Sequence, residues 1–220
     1  MSRYENLNTV IQEGIVAVIR APSSELLADV AEALLAGGIT VMEITFTVPQ
    51  ATQVLQEMVN RVGDRALVGA GTILDPETAR TALLHGAQFL VSPATNPDVI
   101  RMAHRYDKLV MPGAHTPTEV LTAWEAGADV VKIFPSDVSG PTHLKALRGP
   151  LPQVLMMPTG GVNLETAADF LQAGACALGI GSSLVEKEAV ATGDLARIET
   201  LARQYVQIVR DTRAAMQAAN

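Results

Sequence analysis

Two hydrophobic patterns alternate along the chain. Short apolar, β-rich runs stand at 15–20 (IVAVIR), 39–46 (ITVMEITF), 66–71 (ALVGAG), 88–92 (QFLVS), 108–112 (KLVMP), 129–134 (DVVKIF), 153–159 (QVLMMPT) and 177–181 (ALGIG). Each is too short for a full helix and is bounded by Gly, Pro or polar residues, which predicts buried strands. Between them the apolar positions recur at helical spacing. The first of these helices, 23–38, is predicted to start at an N-cap Ser23 or Ser24 and to stop at Gly37-Gly38. Three others open with Asp75-Pro76, Asn96-Pro97 and Thr116-Pro117, a capping residue followed by proline in the first helical position. A weak repeat closes helices at Gly37, Gly86, Gly127 and Gly174, each just before an even-numbered strand. Eight strands, each followed by a helix, predict an α/β fold, a single (β/α)8 TIM barrel. A doubly wound sheet would need a glycine-rich turn after the first strand, where this chain has Arg20-Ala21-Pro22-Ser23. A short N-terminal helix over 4–12 is expected to close the barrel floor, and 193–217 form an extra amphipathic C-terminal helix with Leu195, Ile198, Leu201, Tyr205 and Ile208 on one stripe. No linker interrupts the pattern, so residues 1–220 are expected to form one domain.

Composition narrows the function classes. Of 220 residues, 48% are hydrophobic and 18% charged, enough for a sizeable core and too little charge for a disordered chain. A formal net charge of −7 argues against nucleic acid or an anionic membrane as partner. Cys176 is the only cysteine, which excludes an internal disulfide framework and fits a reducing compartment. The longest stretch free of Asp, Glu, Lys and Arg, 81–97, is broken by polar residues and proline, so no membrane span is expected. The first residues carry no basic-then-apolar export signal. The expectation is a cytoplasmic protein.

In this fold chemistry sits at the C-terminal ends of the strands. Lys108, Lys145 and Lys187 fall on a turn, a helix and a glutamate-rich segment and read as solvated surface. Lys132 differs, because it interrupts Val-Val-Lys-Ile-Phe in the sixth predicted strand. A lysine buried there loses hydration, its pKa falls, and the neutral amine can attack a carbonyl to form a Schiff base. Glu43 interrupts the second strand and could shuttle protons for such a reaction. The alternative for both is a structural Lys132–Glu43 ion pair. The corners at 158–161 (PTGG) and 179–183 (GIGSS, opening a helix) offer backbone N–H groups after strands seven and eight, the usual phosphate site of this fold. The alternative is two tight turns and a serine cap. The corner at 69–72 (GAGT) could hold a carboxylate. The four histidines lack metal spacing, and only His115 lies at a strand end.

Taken in order, VIRA (18–21), EITF (43–46), GAGT (69–72), VSP (91–93), MPG (111–113), KIFP (132–135), PTGG (158–161) and GIGS (179–182) resemble the class I 2-keto-3-deoxy-6-phosphogluconate (KDPG) and 4-hydroxy-2-oxoglutarate (KHG) aldolases. The resemblance implies that Lys132 forms the Schiff base and Glu43 is the general acid/base, working through a water. It also implies that Thr72 and an arginine hold the carboxylate of the pyruvate half, that Pro93, Phe134 and Thr159 shape the pocket, and that Gly160, Gly161, Gly181 and Ser182 bind phosphate. Some members carry an arginine after the second strand, where this chain has Thr47. Arg20, at the end of strand one, fits the subgroup with its arginine there. The resemblance further implies a homotrimer acting on a keto-acid sugar phosphate, with no metal or other cofactor. KDPG cleavage to pyruvate and glyceraldehyde 3-phosphate is the leading expectation, with KHG cleavage to pyruvate and glyoxylate beside it. The alternatives are an aldolase for the epimeric 2-keto-3-deoxy-6-phosphogalactonate, a phosphate-binding isomerase or synthase in which Lys132 only binds charge, and a non-catalytic phosphosugar-binding scaffold.

Overall fold

The computed structural model of the protein describes residues 2–21 and 23–218. Its strands are β1 (Ile15–Ile19), β2 (Val41–Thr45), β3 (Leu67–Gly71), β4 (Phe89–Val91), β5 (Leu109–Met111), β6 (Gly113–Ala114), β7 (Val131–Ile133), β8 (Met156–Pro158) and β9 (Leu178–Ile180). All pairings are parallel, in the orders β5-β4-β3-β2-β1-β9 and β6-β7-β8. Backbone bonds join the two sheets on either side. Lys132 N donates to Pro112 O at 2.9 Å on one side, and Thr159 bridges to Gly179 on the other. The result is a curled parallel sheet wrapped by helices. The fifth expected strand, 108–112, is β5, and a short β6 follows beyond it, parted from β5 by Pro112, which has no N–H to continue the ladder.

Side chains alternate strictly between two cores. Ile15, Ala17, Ile19, Met42, Ile44, Val68, Ala70, Leu90 and Val131 face outward into the layer shared with the helices. Val16, Val41, Leu67, Phe89, Val91, Leu109, Met111, Val130 and Met157 face inward, and Val10 with Leu7 of α1 (Arg3–Glu13) plugs the floor beneath them. The apolar inner layer fills only the N-terminal half of the curl. Further along the same inward positions come Glu43, Thr45, Lys132 and Thr159, the polar end.

Three boundaries differ from expectation. Helix α2 (Leu27–Ala36) starts three residues beyond Ser24, with Leu26 at φ 63 and no side-chain cap, because Ser23 Oγ accepts from Glu25 N at 3.1 Å instead. Pro22 lies outside the described residues. The final helix, expected over 193–217, begins at Leu195 as α10 (Leu195–Ala218), after a short α9 (Lys187–Thr192) that ends at Gly193 with φ 70. Ser182–Ser183 open no helix: Val185 N donates to Gly181 O at 2.9 Å, one turn that is not continued. The Asx/Thr–Pro starts hold, with Asp75 and Asn96 accepting from Thr78 N at 2.6 Å and Asp98 N at 2.9 Å, and Thr116 with Glu119 forming a capping box. No helix among the described residues is long and apolar enough to cross a membrane.

Candidate active site

Strand parity decides which groups meet. Continuing the alternation from Val16, the next positions of the same parity are Val18 on β1 and Arg20 just past it; Glu43 and Thr45 on β2; Lys132 on β7 and Phe134 just past it; and Thr159 just past β8. Val18 pairs in register with Glu43, Glu43 with Gly69, and Lys132 with Met157. Polar groups from separate strands are thereby gathered at one end of the sheet.

Glu43 is 1% exposed and Lys132 6%. They do not form the contact ion pair of the structural alternative: neither carboxylate oxygen of Glu43 has a hydrogen-bond partner. Gly71 makes room for this carboxylate, since a Cβ there would stand 2.5 Å from Glu43 Oε1. Lys132 Nζ lies 5.0 Å from the centroid of the Phe134 ring, within cation–π range. Burial pushes the Glu43 carboxyl up from the usual carboxylate value, against the opposing pull of Lys132 and Arg20. Burial likewise pushes Lys132 down; Glu43 opposes this, and the positive charge of Arg20 adds to it. Both groups are drawn toward their neutral forms, the forms that attack carbonyls and donate protons.

A cavity of about 290 Å³ opens to the surface; neither Glu43 nor Lys132 lines it, but Val18, the register partner of Glu43, and Phe134, next to Lys132 Nζ, do. It collects Arg20, Phe134, Thr159, Gly160, Gly161, Gly181 and Ser182 from the sequence-derived set, with Val18, Ser183 and Lys187. Gly160 and Gly161 have φ 86 and 69, a left-handed pair that strains any side chain, and at Gly161 there is no room either: a Cβ there would come 2.6 Å from Asp137 Cα. Thr159 is buried and its hydroxyl has no partner. Arg20 is exposed at the rim and in none of the ion pairs.

The remaining residues lie apart. Pro93 lines a neighbouring cavity of about 310 Å³ on the other side of Phe134, with Gly113, Ala114 and His115. Thr72 is half-buried at φ 61 and lines neither cavity. His115 stacks on His143 with ring centroids 4.8 Å apart. Lys187, read from the sequence as surface, is exposed, and it also lines the cavity just past the GIGSS corner. Among the described residues no cluster of three His, Cys, Asp or Glu side chains is arranged to hold a metal ion.

A model of the KDPG and KHG aldolase family matches residues 7–201. The chain is 38% identical over 205 residues to a 2-dehydro-3-deoxy-6-phosphogalactonate aldolase of Escherichia coli strain K12, covering 92% of this chain and 96% of that one. It is 33% identical over 203 residues to a 2-dehydro-3-deoxy-phosphogluconate aldolase of Pseudomonas aeruginosa, covering 91% and 92%. The fold superposes with a TM-score of 0.82, at 30% identity and over 90% and 96% of the two chains, on the KDPG aldolase of Legionella pneumophila in which pyruvate was captured as a covalent carbinolamine. By fold and relatives the protein is an enzyme, a carbon–carbon lyase. It belongs to the KDPG and KHG aldolase family.

Proposed function

We propose that the protein is a Schiff-base aldolase that cleaves KDPG to pyruvate and glyceraldehyde 3-phosphate, on a (β/α)8 barrel forming one domain. The observation that carries this reading is Lys132: buried, lowered in pKa, coupled electrostatically to a buried Glu43 whose carboxylate has no hydrogen-bond partner, and 5.0 Å from the ring of Phe134, which lines the glycine-rimmed cavity. Neutral Lys132 adds to the C2 ketone, and loss of water leaves a cationic imine. The imine draws the electrons of the C3–C4 bond as the C4 hydroxyl gives up its proton, and the aldehyde departs. The enamine takes a proton at C3, and hydrolysis frees pyruvate and the amine. Glu43 moves these protons through a water that satisfies its unpartnered oxygens. Thr159, Phe134, Pro93 and Thr72 shape the pyruvate half, and Gly160, Gly161, Gly181 and Ser182 hold the phosphate. The assembly is a cytoplasmic homotrimer working without metal.

A second reading, the galactonate epimer as substrate, is favoured by the 38% identity to an aldolase named for it. The two substrates share all contacts except those at one stereocentre. A kinetic panel of KDPG, its epimer and KHG tests both readings. KDPG is expected to have the highest kcat/KM, and the phosphorylated substrates to exceed KHG by at least about 100-fold through a donor-lined phosphate site. A preference for the epimer would replace the first reading by the second, and equal efficiency on KHG would show that the cradle does not set specificity.

Arg20 is the carboxylate anchor in this scheme. Its inward parity brings the guanidinium over the mouth, where its charge is felt by both Glu43 and Lys132. Two parallel bonds to a carboxylate would position the keto carbon as well as bind it. Thr47 cannot substitute, and its hydroxyl already sits 3.0 Å from that of Thr45. Arg20→Ala is expected to cost about 1.5–3 kcal/mol in kcat/KM for pyruvate-containing substrates. Partial recovery is expected when arginine is installed at position 47. Near wild-type kinetics in Arg20→Ala would move the anchor to Thr72 and backbone amides.

A further inference from the structure

We propose that Lys187 supplies the positive charge at the phosphate end of the cavity and thereby sets the preference for phosphorylated over unphosphorylated keto acids. This inference rests on the aldolase reading and extends its phosphate site. The amides around Gly160, Gly161 and Gly181 provide donors but no net charge. The turn at Ser182–Ser183 is not continued into a helix, so the serines themselves do not open one at the cradle. On the far side Asp137 brings a carboxylate: its Oδ1 is 3.5 Å from where a Cβ would begin at Gly160. A phosphate dianion would therefore meet net negative charge unless a cation faced it. The cavity holds two cations, Arg20 and Lys187. Arg20 acts on Glu43 and Lys132, at the carbonyl end. Lys187 follows the GIGSS turn, whose Gly181 and Ser182 line the same cavity, and it is not among the charges that act on Glu43 or Lys132. The neighbouring Glu186 is taken by Arg197, with bonds of 2.9 and 3.0 Å, which leaves Lys187 without an ion pair in the structure described. A lysine at the first position of α9 is also on the unfavourable end of its helix, a placement that local stability does not explain.

The test compares the parent with Lys187→Met and Lys187→Arg, both at an exposed position. Inorganic phosphate, titrated calorimetrically, is expected to bind Lys187→Met about 10-fold more weakly than the parent, with most of the affinity restored in Lys187→Arg. In kinetics the ratio of kcat/KM for KDPG over KHG is expected to fall by a similar factor, chiefly through KM for KDPG. Unchanged phosphate binding in Lys187→Met would overturn the assignment, and so would an equal loss on both substrates. Phosphate binding that depends on Lys187 in a protein forming no adduct with pyruvate and borohydride would sink the Schiff-base reading and still support Lys187 as the phosphate cation.

Discussion

Lys132→Ala is expected to lower kcat for KDPG cleavage by about 10⁴-fold or more, or roughly 5 kcal/mol of barrier, because the covalent route is removed and no other amine reaches the same point. The neighbouring lysines make this a sharp test. Lys108 Nζ is held by Gln88 Oε1 at 2.7 Å, Lys145 is exposed on α7 (Gly140–Arg148), and Lys187 is exposed at the first position of α9. The pH dependence follows from the direction of the Lys132 shift. An ordinary lysine at 10.5 is almost wholly an ammonium near neutrality and cannot attack, whereas burial lowers Lys132 and leaves more free amine. The rate of pyruvate trapping by borohydride should therefore rise with pH and level off below 10.5, the midpoint of an unperturbed lysine. Lys132→Met, which keeps an apolar chain in the inner layer, should lose as much activity as Lys132→Ala with a smaller loss of stability. Full turnover in either variant would exclude Lys132 as nucleophile.

Glu43→Gln is expected to form the imine with pyruvate yet exchange the pyruvate methyl protons about 100-fold more slowly or worse. The substitution keeps the volume and removes the only buried carboxyl among the described residues. Glu43 has the attributes of a proton carrier: it is 1% exposed, pushed up by burial, and free of fixed partners that would lock its proton state. The same features argue against a purely structural role, since a carboxylate kept for stability would be expected to hold hydrogen bonds. Exchange at the wild-type rate in Glu43→Gln would reduce Glu43 to a field-shaping neighbour of Lys132.

Much of this arrangement was legible in the sequence, for one physical reason. An inward position on a buried strand is apolar by default, so Glu43 between Met42 and Ile44, and Lys132 between Val131 and Ile133, stood out as charges placed at a cost. Gly160, Gly161 and Gly179 were legible on similar grounds, because left-handed backbone at the first two and close approach to Thr159 at the third select glycine, whereas Gly181 is under neither constraint. Features set by tertiary partners were not legible. Ser23 and Ser24 looked like helix caps, but the chain spends the Ser23 hydroxyl on a local turn before α2 begins. The GIGSS corner looked like a helix start and is a single turn, because α9 begins only at Lys187. Pro93 and Thr72 were grouped with Phe134 and Thr159 by family likeness. Their placement around Phe134 and Gly71 depends on how the loops fold back, which no local pattern encodes.

The central claim is that Lys132 is the amine that bonds to substrate. Incubation of the intact protein with pyruvate and borohydride, followed by peptide mass spectrometry, tests it directly. One reduced pyruvyl group on Lys132 per chain, with activity lost in proportion to labelling, is the predicted result. Label on Lys108, Lys145 or Lys187, or full activity after exhaustive treatment with no label at all, would contradict it.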